Sequence, residues 1–244
     1  HDAIEARQCL QEVTKYFKNI SIDLIYGIPG LSHTRWIENI ETALSFNIPH
    51  ISSYALTVEP KTALDNFIKK GIIQNVDDEL AEQQFHMLIE KLEAKGFVHY
   101  ELSNFGKPNY FSKNNSAYWQ GKHYLGIGPS AHSFNGNERG WNVRNNAKYI
   151  KALQENRVPM EIETLSKTDK YNEYVMTGLR TIWGVSIEKV ERDFGLNYKN
   201  YLLEQATIHL KNDLLYLDDN KLLVTKKGKF LSDGIASDLF KVNI

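Results

Sequence analysis

Ser21-Ile-Asp-Leu-Ile-Tyr-Gly-Ile-Pro29 and His50-Ile-Ser-Ser-Tyr-Ala-Leu-Thr57 decide the fold, together with the segment between them. The first is apolar and β-branched up to Tyr26 and is stopped by Gly27 and Pro29, so it reads as a strand. Behind Thr34, residues Trp36, Ile37, Ile40, Ala43 and Leu44 recur at helical spacing. The second stretch reads as another strand. Strand, crossover helix, strand sets two parallel strands side by side with a right-handed connection. The class is therefore α/β.

Upstream, residues 4–17 read as a helix, with Val13, Phe17 and Ile20 at helical spacing. The sequence begins at His1, inside that apparent helix and not at a Met, so a longer natural protein is expected. Downstream, a loop with Pro60 and Gly71 runs to about residue 76. A helix follows, capped by Asp77 or Asp78, with Ala81, Phe85, Leu88 and Leu92 as its apolar face and Gly96 as its stop. Phe97–Ser103 reads as a third strand. Residues 104–148 are rich in Gly, Asn, Ser and aromatics and read as a long loop, a length that suggests function or interaction. Composition changes near residues 157–170. Beyond lie expected helices at about 171–183, 187–194 and 198–212, then a hairpin in which Leu214–Leu217 and Leu222–Thr225 flank Asp218-Asp219-Asn220-Lys221. A last helix over 227–240 completes a winged-helix-like order. The expected division is 1–165 and 166–244.

The totals narrow the partners. There are 29 basic and 30 acidic side chains, for a net charge of -1. Residues 169–244 carry 11 of each sign, which is not the basic footprint of a nucleic-acid-binding winged helix. No apolar run approaches the roughly 18 residues of a membrane span, and the start shows no signal peptide. The single cysteine, Cys9, makes no disulfide and no metal cage by itself and is expected to be a small buried residue of the first helix. Low cysteine usage fits a reducing cytoplasm, the expected location.

Three segments can carry chemistry. Asp23 puts a carboxylate inside an apolar strand, which requires a partner: a neighbouring cation, or a ligand hydroxyl or ammonium near the C-terminal strand ends where α/β proteins bind ligands. Tyr124-Leu-Gly-Ile-Gly-Pro-Ser-Ala-His-Ser133 has the small-residue spacing of a dinucleotide loop, but Pro129 breaks the pattern. It is better read as backbone passing close to a flat ligand or to another strand. Tyr110, Phe111, Tyr118, Trp119 and Tyr124 either pack a loop against the domain or form a wall for a large planar ligand.

Taken together the segments resemble one family. Asp23-Leu-Ile-Tyr-Gly-Ile-Pro29, His50-Ile-Ser-Ser-Tyr-Ala-Leu-Thr-Val-Glu-Pro60, Tyr100-Glu-Leu-Ser-Asn-Phe105, Tyr118-Trp119 and Tyr124–His132 are similar, in order and spacing, to HemN/HemW proteins. Gly178-Leu-Arg-Thr181 with Gly184 resembles the start of that family's C-terminal domain. The resemblance implies the C-terminal part of a partial (β/α)6 radical-SAM barrel followed by a small winged-helix-like domain. It implies S-adenosylmethionine (SAM) and a [4Fe–4S] cluster held by a CxxxCxxC motif, which would lie upstream of this sequence together with an expected Arg. It places Asp23, Thr57 and His132 at SAM. One branch is the oxygen-independent coproporphyrinogen III oxidase, which decarboxylates porphyrinogen propionates. The other, HemW, binds heme and delivers it to acceptor proteins. The wording around Ser52–Glu59 and Tyr100–Phe105 looks more like HemW, whose heme-linked HNxxYW motif corresponds to Asn114-Asn-Ser-Ala-Tyr118-Trp119. Asn114 stands where that motif has His, and an amide is a poor iron ligand, so Tyr118 and Trp119 remain as stacking partners for a porphyrin. Oxidoreductase chemistry is expected of the whole protein, and none of this chain alone.

Overall fold

The structure is a computed structural model and describes residues 2–242. Two compact units divide the chain, His1–Ser112 and Lys113–Ile244.

In the first unit, α1 (Ala3–Tyr16) opens with a capping box in which Asp2 accepts from Ile4 and Glu5 while Glu5 reaches back to the Asp2 N–H. The expected helix is present, yet it buries none of its residues. Cys9 is exposed and not buried as expected, because α1 turns no face into a core.

β1 (Ser21–Tyr26), α2 (His33–Ser45) and β2 (His50–Ala55) form the expected unit, with β1 and β2 parallel in the register Ser21↔His50 to Tyr26↔Ala55. Ser32 caps α2 by accepting from Arg35 N–H. The stretch expected to be loop contains α3 (Ala63–Lys69), capped by Thr62. Its seven residues are too few to show a helical period. α4 (Asp78–Glu93) is capped by Asp77 and followed by Gly96 at φ 80.

The core lies where α2 and α4 meet the sheet. Trp36, Ile40, Ala43, Phe85, Leu88 and Leu92 are buried there with Tyr26, Ile51 and Phe105. The third expected strand is two: β3 (Val98–Glu101) turns through Leu102-Ser103 into β4 (Asn104–Gly106). β4 slots back between β2 and β3, antiparallel to both, giving the order β1-β2-β4-β3. The sheet is therefore mixed and not wholly parallel.

The second unit overturns the long loop expected over 104–148. After β4, that stretch carries α5 (Lys113–Trp119), β5 (His132–Phe134) and β6 (Glu138–Asn142) and runs into α6 (Asn146–Gln154). With β7 (Met160–Thr164), the strands make an antiparallel sheet in the order β5-β6-β7. His-Ser-Phe and Glu-Arg-Gly-Trp-Asn are short and polar, so no alternation announces them.

The rest follows the expected order within a few residues: α7 (Lys167–Leu179), β8 (Val185–Ser186), α8 (Ile187–Phe194), α9 (Leu196–Lys211), β9 (Leu215–Asp218), β10 (Lys221–Val224) and α10 (Ser232–Asp238). β8 joins the hairpin to make the three-stranded sheet β8-β10-β9. Tyr171, Val175, Val185, Val190, Leu202, Leu215, Leu222 and Leu239 form one core, and Tyr171 donates from its hydroxyl to Leu239 C=O. Among the described residues no helix is long and apolar enough to cross a membrane.

Two leucines of the β9–β10 hairpin separate burial from composition. Leu222 is fully buried and Leu217 is half exposed. We expect Leu222→Ala to cost about 2–5 kcal/mol in urea denaturation, and Leu217→Ala less than about 0.5 kcal/mol.

Candidate functional site

Strand alternation puts Ser21, Asp23 and Ile25 on one face of the first unit's sheet, beside their register partners His50, Ser52 and Tyr54. That face is polar and hydrogen-bonded. His50, only 4% exposed, meets Ser21 Oγ through Nδ1 (2.7 Å) and the Tyr100 hydroxyl through Nε2 (2.8 Å). The Ser112 N–H also donates to the Tyr100 hydroxyl. A neutral imidazole with Nδ1–H donating to Ser21 and Nε2 accepting from Tyr100 satisfies both ring nitrogens. Burial holds the His50 pKa below its ordinary value, partly opposed by the Asp23 carboxylate, and pushes the Tyr100 hydroxyl up to about 12.

A second chain of bonds runs beside the first. Ser52 Oγ donates to Asn104 Oδ1 (3.0 Å), and Asn104 Nδ2 donates to Glu101 Oε2 (2.5 Å). The same carboxylate oxygen accepts the Ser103 N–H, so Glu101 closes the β3–β4 turn. All three side chains are buried. Asp23 is exposed in mid-strand, level with Ser52. Thr57 is exposed beyond the end of β2.

The turn after β1 is fixed from α4. Gly27, at φ 69, donates its N–H to Gln84 Oε1 (2.8 Å), and Gln84 Nε2 donates to Leu31 C=O (2.8 Å). The Trp36 indole N–H donates to the Gln84 carbonyl. A Cβ at Gly27 would press on that of Ala81, so the turn requires glycine for both space and dihedral angle. The sequence reading missed His50, Tyr100, Glu101, Asn104 and Gln84 as working residues. The available signals were polar types in apolar strands and an amide on the apolar stripe of α4.

In the second unit, the Gly126 segment settles one of its two readings. Its backbone lies against that of Ala131 and His132, its N–H donates to Ser133 Oγ, and Asn142 Nδ2 donates to the carbonyls of Gly126 and Gly128. The close neighbour is thus strand β5. His132 starts that strand and is exposed.

The five aromatics divide between the two units. Phe111 stacks on Tyr100 in the first unit (4.3 Å, 11°). In the second unit Tyr118 lies edge-on to Trp119 (5.2 Å) and near Tyr124 (5.6 Å). Tyr118 is half exposed and Asn114 is exposed. The Arg180 guanidinium lies 4.9 Å over the Trp119 ring, and the buried Trp119 Nε1 has no hydrogen-bond partner among the described residues.

Among the described residues, no group of three His, Cys, Asp or Glu could hold a metal ion. With one cysteine, the chain does not itself supply the thiolates of an iron–sulfur cluster.

Comparison with known proteins agrees with this geometry. The whole chain superposes on the E. coli coproporphyrinogen III oxidase HemN, described as a radical SAM enzyme, with a TM-score of 0.79 at 19% identity over 99% of this chain and 59% of that one. This chain therefore shares the fold of that part of the protein. Residues 165–231 match the family model of the HemN C-terminal domain. The chain is 31% identical over 237 residues to a protein named heme chaperone HemW from Lactococcus lactis, covering 96% of this chain and 62% of that protein. It is 31% identical over 220 residues to the Bacillus subtilis protein of the same name, covering 90% and 58%. The chain is thus similar to HemN and HemW proteins along most of its length and spans about three fifths of the length of these relatives.

Two outcomes follow. Gln84→Leu leaves the Gly27 N–H and Leu31 C=O unpaired, and we expect each to cost about 1–3 kcal/mol in chemical denaturation. His50 binds a proton more weakly when folded than when unfolded. Its contribution to stability is therefore complete above its unfolded pKa of about 6.5 and lost as pH falls below it. Thermal melts between pH 7.5 and 5.5 should show a smaller loss of Tm on acidification for His50→Gln than for the wild type.

Proposed function

We propose that this chain is the larger part of a HemW-type heme-binding protein built on a radical-SAM fold. The likeness to proteins named heme chaperone HemW, running over 96% of the chain at 31% identity, carries this reading. The exposed Tyr118 beside Trp119 supports it, because an accessible aromatic surface suits a porphyrin plane. Asn114, exposed at the start of α5, provides no imidazole, so the segment Asn114–Trp119 acts by stacking and not by ligating iron. Acceptor proteins are the expected partners.

SAM fits the polar face of the first unit. The Asp23 carboxylate, exposed among Ser21, Ser52 and His50, can accept from a ligand hydroxyl or ammonium. Thr57 offers backbone at the end of the neighbouring strand. SAM supplies a radical only beside a reduced cluster, and the cluster does not fit this chain's single cysteine. No radical step is therefore assigned to these residues. In the same reading, residues 1–165 contribute to the barrel and 166–244 form the C-terminal domain. The oxidase reading has less support, since the likeness to the E. coli oxidase at 19% identity carries the fold alone.

Heme titration followed by the Soret band tests the proposal. The chain should bind heme with saturation, and Tyr118→Ala with Trp119→Ala should weaken binding roughly tenfold or more. A linear, unsaturable titration would refute it. Iron and sulfide reconstitution of this chain should give neither [4Fe–4S] absorbance nor SAM cleavage.

A further inference from the structure

We propose that Arg139 and Arg180 are a pair of carboxylate-binding residues for a planar aromatic dianion seated on Tyr118. The inference rests on the heme-binding reading above and names the part of the ligand it adds: the two propionates of a porphyrin.

Four observations place the two guanidiniums around the aromatic pair. Arg180, the C-cap of α7, lies 4.9 Å over the Trp119 ring. Arg139, on β6, is the register partner of Phe134, whose ring lies 6.0 Å from that of Tyr124, and its guanidinium reaches Glu173, two turns before Arg180 on α7. Tyr118 sits between the other two rings, 5.2 Å from Trp119 and 5.6 Å from Tyr124. Each guanidinium already holds a carboxylate: Arg139 pairs with Glu173, and Arg180 donates from Nη1 to Asp233 (2.5 Å). Both cations therefore stay oriented before any ligand arrives.

The exposures of these pairs suit exchange. The Arg180 side chain is 15% exposed and its partner Asp233 is 56% exposed. Arg139 and Glu173 are each about one third exposed. Ion pairs with a solvated member contribute little net stability, so replacing one carboxylate by another costs little. Tyr118, half exposed, is the ring left open for stacking, while Arg180 covers a face of Trp119. An exposed aromatic ring in a cluster that also holds two guanidiniums is the complement of a flat ring system with two acidic arms.

The bland account gives the two pairs a purely structural role, tying β6 and α5 to α7 and α10. Only the ligand-carboxylate account predicts dependence on the ligand's own charge. The test titrates the full chain with heme and with heme dimethyl ester, which keeps the ring and iron and removes both anions. The wild type should bind heme roughly tenfold or more tighter than the ester. Arg139→Gln and Arg180→Gln should each weaken heme binding about fivefold or more and change ester binding by less than about twofold. Arg180→Lys should restore part of the loss. Equal wild-type affinity for heme and ester overturns the proposal without needing any variant to fold. Equal weakening of both ligands by the variants also overturns it, leaving the structural role. If the wild type binds neither compound, the heme-binding reading itself fails and the inference falls with it. Binding of the ester but not a preference for heme keeps that reading and removes this one.

Discussion

The first unit depends on one constraint: a polar group taken out of water must find a partner. Its sheet has two unlike faces. One is buried under α2 and α4 by Trp36, Ile40, Phe85 and Leu88, with Tyr26 and Ile51 pointing into them. The other carries Ser21, His50, Ser52, Tyr100, Glu101 and Asn104, most of them as buried as the core. Such a face is stable because its groups bond to each other in two short chains, one through His50 and one through Asn104. Asp23 borders both chains in register with Ser52, and it stays open to solvent.

The same constraint positions the turn that follows β1. Gln84 spends its whole amide on the backbone at Gly27 and Leu31, and its own carbonyl receives the Trp36 indole. One side chain on α4 thus sets the path of the chain as it leaves the C-terminal end of β1. The second unit uses a comparable device, with Asn142 holding the Gly126–Gly128 backbone. In both units an amide replaces a regular ladder where the backbone must bend.

Much of this was legible in the sequence. β1, α2 and β2 announced themselves because apolar spacing and the Gly27–Pro29 stop are local. The helices and hairpin of the C-terminal region also had enough length for their periods to show, and their buried residues share one core. What stayed hidden had physical reasons. β4 inserts between β2 and β3, and only long-range pairing reveals that. β5 and β6 are short and polar, so their strand character comes from neighbours and not from composition. α3 spans seven residues, fewer than a period needs. Asp23 was singled out by its type and position and Thr57 by the family resemblance, whereas the imidazole and carboxylate at His50 and Glu101 became visible only when three strands were placed side by side. Cys9 was expected inside because free thiols usually are, but α1 offers no buried face.

The place of β4 also bears on how the first unit assembles. β3 and β4 are joined by a two-residue turn already closed by the Glu101 carboxylate, so this hairpin needs little chain entropy to form. β1 and β2 must wait for α2 to bring them parallel, and β2 reaches β4 only across the whole of α3 and α4. Slow steps belong to such distant pairings and fast ones to local pairings. The polar face beside Asp23 therefore joins a local hairpin to a strand that lies far away along the chain. The Ser52–Asn104 hydrogen bond closes that long-range junction, so its formation reports that β2 and the hairpin have met.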